Sequence, residues 1–130
     1  MHHGWEKEIP MNSCQTITYK QKSITYLDLS GANQDQILAL LDEAQGIITK
    51  LPPKSVLMLT NTKETTYNTT ISNAIKDFTS KNTPFVKASA VIGADGLRKV
   101  LLQTVCMLTK REIHAFDTQE KAMDWLIAQL

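Results

Sequence analysis

Hydrophobic residues recur along this chain with two different spacings, and the spacing switches several times. Residues 15–20 alternate, with Ile17 and Tyr19 on one face, and residues 23–30 are a second extended, β-branched run. The short polar link Gln21-Lys22 predicts an antiparallel hairpin. The spacing then becomes helical over residues 34–51, with Leu38, Leu41, Ala44 and Ile48 as one stripe. Asn33 followed by Gln36 resembles a capping box, and Pro52-Pro53 ends the helix.

A continuous apolar run, residues 56–60, reads as a strand buried on both faces. A long polar loop rich in Thr leads into a helix with Ile71, Ala74, Ile75 and Phe78 inward and Asn82 and Pro84 at its close. Residues 86–93 form the next strand. Gly93 and Gly96 bracket a tight turn where the backbone takes positive φ or approaches a neighbour closely. The following helix, to about residue 110, carries Leu97, Val100, Leu101, Val105 and Leu108 on one stripe, with Asp95 as its cap. Residues 112–116 read as a short last strand. Asp117-Thr118-Gln119-Glu120 gives a second capping-box pattern, before a helix burying Ala122, Trp125, Leu126 and Leu130.

The expected order is β-β-α-β-α-β-α-β-α. Strands joined through helices run parallel by right-handed crossovers. The product is an α/β domain with a mixed, mostly parallel five-stranded sheet and four helices. Residues 1–14 read as a flexible N-terminal arm and residues 15–130 as a single domain. In the arm, His2-His3 read as solvated, and Trp5 as an apolar anchor against the domain or a partner.

Composition narrows the function only at its edges. The 130 residues, 42% hydrophobic and 21% charged with a formal net charge of +1, describe one globular domain with no global pull toward nucleic acid or acidic membranes. No apolar stretch approaches about 18 residues, so no membrane insertion is expected, and the start carries no hydrophobic run of a signal peptide. A cytoplasmic location is the expectation. Cys14 reads as a free thiol on the arm and Cys106 as a small buried hydrophobe. They form no Cys/His cluster, so no metal and no cofactor is expected. His114 has no recognisable partner and the carboxylates are scattered, so no catalytic residues are assigned. Arg98-Lys99 and Lys110-Arg111 read as a solvated basic face at helix ends, without the aromatic residues that nucleic-acid binding would add.

In open α/β sheets, ligands meet the protein beyond the carboxyl ends of the parallel strands. The connections at that edge carry Ser30, Asn33, Thr62, Lys63, Gly93, Asp95, Gly96 and Arg98, the candidate ligand edge. The Thr-rich loop offers Thr65, Thr66, Thr69, Thr70 and Ser72 as a phospho-switch or partner-contact loop, since a helix N-terminus favours an added phosphate dianion.

The half of the chain running from Val86-Lys87-Ala88-Ser89-Ala90-Val91-Ile92-Gly93 through Gly96-Leu97-Arg98-Lys99 resembles the SpoIIAA-like family of small bacterial STAS-domain proteins. STAS denotes the sulfate transporter and anti-sigma factor antagonist domains. The ending Phe116-Asp117-Thr118, with Ala122-Met123-Asp124-Trp125-Leu126, is its most telling piece, and the likeness covers residues 15–130. The resemblance implies a β-α superhelical domain related in shape to the lipid-binding Sec14-like core. It implies a non-enzymatic regulatory or protein-binding module acting on a protein partner or on itself, and a sheet with helices chiefly on one side leaves an edge or face for a second copy, so a homodimer is expected. A small-molecule carrier for a lipid or nucleotide, with its pocket at the strand ends, is the alternative. In true anti-sigma factor antagonists a serine in an Asp-Ser motif is phosphorylated. The matching stretch here, residues 65–72, has no Asp-Ser pair, which leaves Thr69 or Thr70 to stand in.

Overall fold

The computed structural model describes residues 12–130, with the side chain of Leu97 excepted. The readings of His2, His3 and Trp5 lie outside the described residues. The element order matches the sequence pattern. Strand β1 (Cys14–Tyr19) and β2 (Lys22–Asp28) are followed by α1 (Gln34–Ile48), β3 (Val56–Asn61), α2 (Thr69–Asn82) and β4 (Val86–Ile92). The chain ends with α3 (Gly96–Thr109), β5 (Ile113–Phe116) and α4 (Gln119–Ala128).

The five strands lie side by side in sequence order; β1 is antiparallel to β2 and the remaining pairs are parallel. The hairpin turn is one residue earlier than the polar link suggests. It is Lys20-Gln21, with φ of 47° and 68°, the two positive values that let a two-residue loop follow the twist of its strands.

Alternation along the strands divides the core in two. Leu27, Val56, Met58 and Val86 pack under α1 and α2 with Ile37, Leu41, Ala44, Ile48 and Ile71. Ile17, Ile24, Tyr26, Leu57, Leu59, Ala90 and Ile92 face the other way, onto Ala122, Met123 and Leu126 of α4. The helix starts follow local chemistry. Asn33 and Gln36 complete the expected capping box on α1, and the Asn68 side chain accepts from Ile71 N at the start of α2.

Several expectations are corrected. Cys14 is the first residue of β1 and buried, not a thiol on an arm. Asp95 stands at the N-cap of α3, but its side chain makes no cap hydrogen bond and pairs with Arg98 instead. Thr118 caps α4 through Lys121 N, and since residue N3 is a lysine no box closes there. Leu130 is 57% exposed, and Met123 takes the buried place in α4. Among the described side chains of the predicted α3 stripe, Leu101 and Val105 are buried, whereas Val100 and Leu108 are 53% and 60% exposed. The reason is that α3 packs against α2. One helical flank then buries only a narrow strip.

Candidate functional site

Because α3 rests on α2, a gap remains between it and the sheet. It is an apolar cavity of about 90 Å³. Its floor is Met58 and Val91, and its walls include Ile75 and Phe78 of α2 and Leu101 and Val105 of α3. Leu101 and Val105 are buried yet belong to neither core cluster, since they look onto this space.

At the carboxyl ends of the strands the cavity is bordered by Thr60, Thr62, Thr65, Thr66, Tyr67 and Arg98. The loop that carries these hydroxyls is tied down. Thr62 N and Oγ1 both donate to Ile92 O, Thr65 Oγ1 donates to Thr62 O, and Thr66 Oγ1 donates to Ala32 O. Asn68 Nδ2 donates to Gln34 Oε1 at 2.8 Å, linking the starts of α1 and α2. Gly93 explains the tight turn. Its φ is 82°, and a Cβ there would sit 2.6 Å from Lys63 N. The close approach is therefore to the neighbouring loop.

The far end of the cavity carries a polar cluster that reading the chain in order missed. Lys110 ends α3 in the left-handed region, and Arg111 follows it. Arg111 is half-buried, not part of a solvated basic face. Its Nη1 donates to Thr79 O (3.0 Å), Asn82 Oδ1 (2.6 Å) and Thr83 Oγ1 (3.1 Å), and its Nη2 to Ser89 Oγ (2.6 Å). All four acceptors are neutral, and among the described residues no carboxylate pairs with this guanidinium. Burial pushes the Arg111 pKa down from its ordinary value, while the nearby Cys106 acts in the opposite direction. A guanidinium remains charged even so. The signal available in the sequence was a cation beyond a helix end, which by itself reads as solvated.

The candidate ligand edge is only partly brought together. Lys63, Gly93, Asp95 and Arg98 border a second, more open cleft of about 370 Å³, with Glu64, Phe116 and Asp117. Its charges are mixed, because Asp95 already pairs with Arg98 and Arg98 Nε donates to Gly93 O. Ser30 and Asn33 are taken up in hydrogen bonds within the chain instead. Ser30 N and Oγ donate to Asp28 Oδ1, and Asn33 caps α1. Gly96 opens α3 with φ of 54° and borders neither space. Of the switch residues, Thr65 and Thr66 use their hydroxyls internally, Thr69 and Thr70 are exposed in the first turn of α2, and Ser72 is half-buried.

Outside these spaces, His114 is exposed on the edge strand with its ring 4.3 Å from that of Trp125. Cys106 is half-buried and Cys14 is sealed, its thiol pushed up to about 12 by burial and by the Glu43 charge. Among the described residues no group of His, Cys, Asp and Glu is arranged to hold a metal ion. No helix there is long and apolar enough to cross a membrane. Compared with known protein families, with curated proteins and with solved structures, the chain matches none.

Proposed function

We propose that this chain is a non-catalytic, STAS-like regulatory module that binds a small molecule in the cavity beneath α3 and presents the result to a protein partner. The observation that carries the reading is the cavity itself. It is apolar along its walls and polar at both ends, a distribution that orients a ligand. Its border with Thr62, Thr65, Thr66 and Tyr67 couples occupancy to the loop a partner would meet. At about 90 Å³ it lies well below the several hundred Å³ of a drug-sized pocket, which favours a small ligand over a whole lipid or nucleotide.

Native mass spectrometry of the untagged chain from its own host tests this. A small-molecule adduct that disappears in Val91→Phe, where a phenyl ring fills the cavity, supports it. Turnover of a common substrate class, abolished by a change within residues 60–70, overturns the non-catalytic part. A spectrum with no adduct but a phosphate on Thr69 or Thr70 replaces the cavity by the phospho-switch.

Docking on a protein through α3 is a second reading, favoured by one observation. Val100, Met107 and Leu108 are 53%, 71% and 60% exposed on this helix. The charged residues of α3 are Arg98 and Lys99, with Lys110 just beyond its end, and none is acidic. The fitting partner is an apolar patch rimmed by carboxylates, since a second copy would bring like charges together. Leu108→Glu is expected to remove any such complex from the native spectrum while leaving the fold intact.

A further inference from the structure

The cavity has a cation at each end: Arg98, already paired with Asp95, at the carboxyl ends of the strands, and Arg111, without a counter-ion among the described residues, at the other. A guanidinium offers five N–H donors in a fixed fork. Those on Nη1 are taken by Thr79 O, Asn82 Oδ1 and Thr83 Oγ1, and one on Nη2 by Ser89 Oγ. The Nε–H and the second Nη2–H of Arg111 meet no acceptor among the described residues. Nε and Nη2 share one edge of the guanidinium, and two donors on one edge take both oxygens of a carboxylate.

Clamping the last turn of α2 would need Nη1 alone. It leaves a half-buried charge without a counter-ion, and an edge that is open rather than buried without a partner. The acceptors around Arg111 are dipoles, and dipoles solvate a charge without cancelling it. Between its two polar ends the space is lined by hydrocarbon, including Met58, Phe78, Val91, Leu101 and Val105. A volume of about 90 Å³ equals the liquid share of roughly three waters, room for a branched fragment of a few carbons.

Resting on the reading of this cavity as a ligand site, we propose that its ligand is a small apolar monocarboxylate. The carboxylate lies on the Nε–Nη2 edge of Arg111, and the hydrocarbon lies between the sheet and α3.

The test is titration of the full chain, followed by amide proton–nitrogen correlation spectra, with sodium isobutyrate, isobutyramide and isobutanol. Sodium chloride serves as the ionic control. The expected result is saturable shifts at Ser89, Thr83 and Arg111 with isobutyrate, at least tenfold tighter than with isobutyramide. In Arg111→Gln that preference disappears. Should this variant fail to fold, the comparison of acid and amide on the unaltered chain decides alone. Isobutyramide or isobutanol binding as tightly as isobutyrate overturns the carboxylate and leaves the cavity reading standing. Shifts that sodium chloride reproduces overturn the carboxylate too. Absence of saturable binding by all three organic probes overturns both.

Discussion

Replacing Arg111 by methionine keeps most of the side chain's length and removes every donor. Of the four residues whose acceptors it abandons, Thr79, Asn82 and Ser89 are buried, at 5%, 2% and 4% exposure, and Thr79 O keeps its hydrogen bond from Thr83 Oγ1, which leaves Asn82 and Ser89 stranded. Each stranded acceptor costs about 1–3 kcal/mol. Release of a guanidinium from a site without a counter-ion offsets part of this. The expected net loss is about 2–4 kcal/mol. Unfolding entropy of about 2 cal/mol/K per residue makes that a fall in Tm of roughly 7–15 °C for this chain. Thermal unfolding followed by circular dichroism at neutral pH measures it. Lys110→Met, one residue earlier and exposed, is the control and should stay within about 0.5 kcal/mol. Adding Ser89→Ala to Arg111→Met should recover about 1 kcal/mol, because the stranded hydroxyl is gone. An Arg111→Met loss no larger than that of Lys110→Met would refute the reasoning, since it would mean the four hydrogen bonds merely replace equivalent ones to water.

Three further outcomes follow from single features. Gly93→Ala should cost about 3 kcal/mol or more, since it adds a backbone clash with Lys63 to the penalty of a positive φ. Gly31→Ala, also at positive φ but with open space around it, should cost only about 1–2 kcal/mol, and equal losses in denaturant unfolding would show that the Lys63 contact yields. Cys14, with its thiol pushed up to about 12, should resist a thiol reagent at pH 8 in the folded chain while Cys106 reacts, and two fast thiols would contradict its burial. Asp124 accepts from Lys20 and Tyr19, which hold its carboxyl below the usual range. A depressed carboxyl pKa contributes stability above its unfolded value and loses it as pH falls through the folded one. The gap in Tm between the unaltered chain and Asp124→Asn should therefore be level at neutral pH and close below about pH 4.

Most of the fold was legible because its signals are local. The alternation around Ile17, the capping box at Asn33 and Gln36, and the apolar run from Val56 each depend on residues close in sequence. The misreadings lie where a distant element decides. The α3 stripe is apolar over more than half its circumference, and periodicity cannot say which part meets α2. Asp95 has the composition of a cap, but Arg98 one turn later attracts its carboxylate more strongly than the backbone does. Arg111 finds its acceptors in Thr79, Asn82, Thr83 and Ser89, between 22 and 32 positions away, and no local pattern announces such a cluster. The ligand edge was placed by a rule for sheets whose strand order reverses. Here the order runs straight from β1 to β5, so no switch point opens a crevice, and the apolar cavity lies under a helix.

That space has its own cause in the sequence. On the face that α1 and α2 cover, β3 contributes Met58 to the floor, whereas β4 contributes Ser89 and Val91. Their partners in β5 are Ile113 and Ala115. These are mostly small side chains, and Ala115 is left exposed. A helix resting on α2 meets too little hydrocarbon there to close onto the strands. The same small residues leave Ser89 within reach of Arg111, which a larger neighbour would screen. A Leu in place of Val91 would fill part of the void and stabilise a protein that uses this space for nothing, by roughly the 1 kcal/mol that a cavity of one methyl group costs. In a binding module the same substitution gains stability and loses ligand. The sign of that trade, stability measured against isobutyrate affinity in Val91→Leu, distinguishes a site from a packing defect.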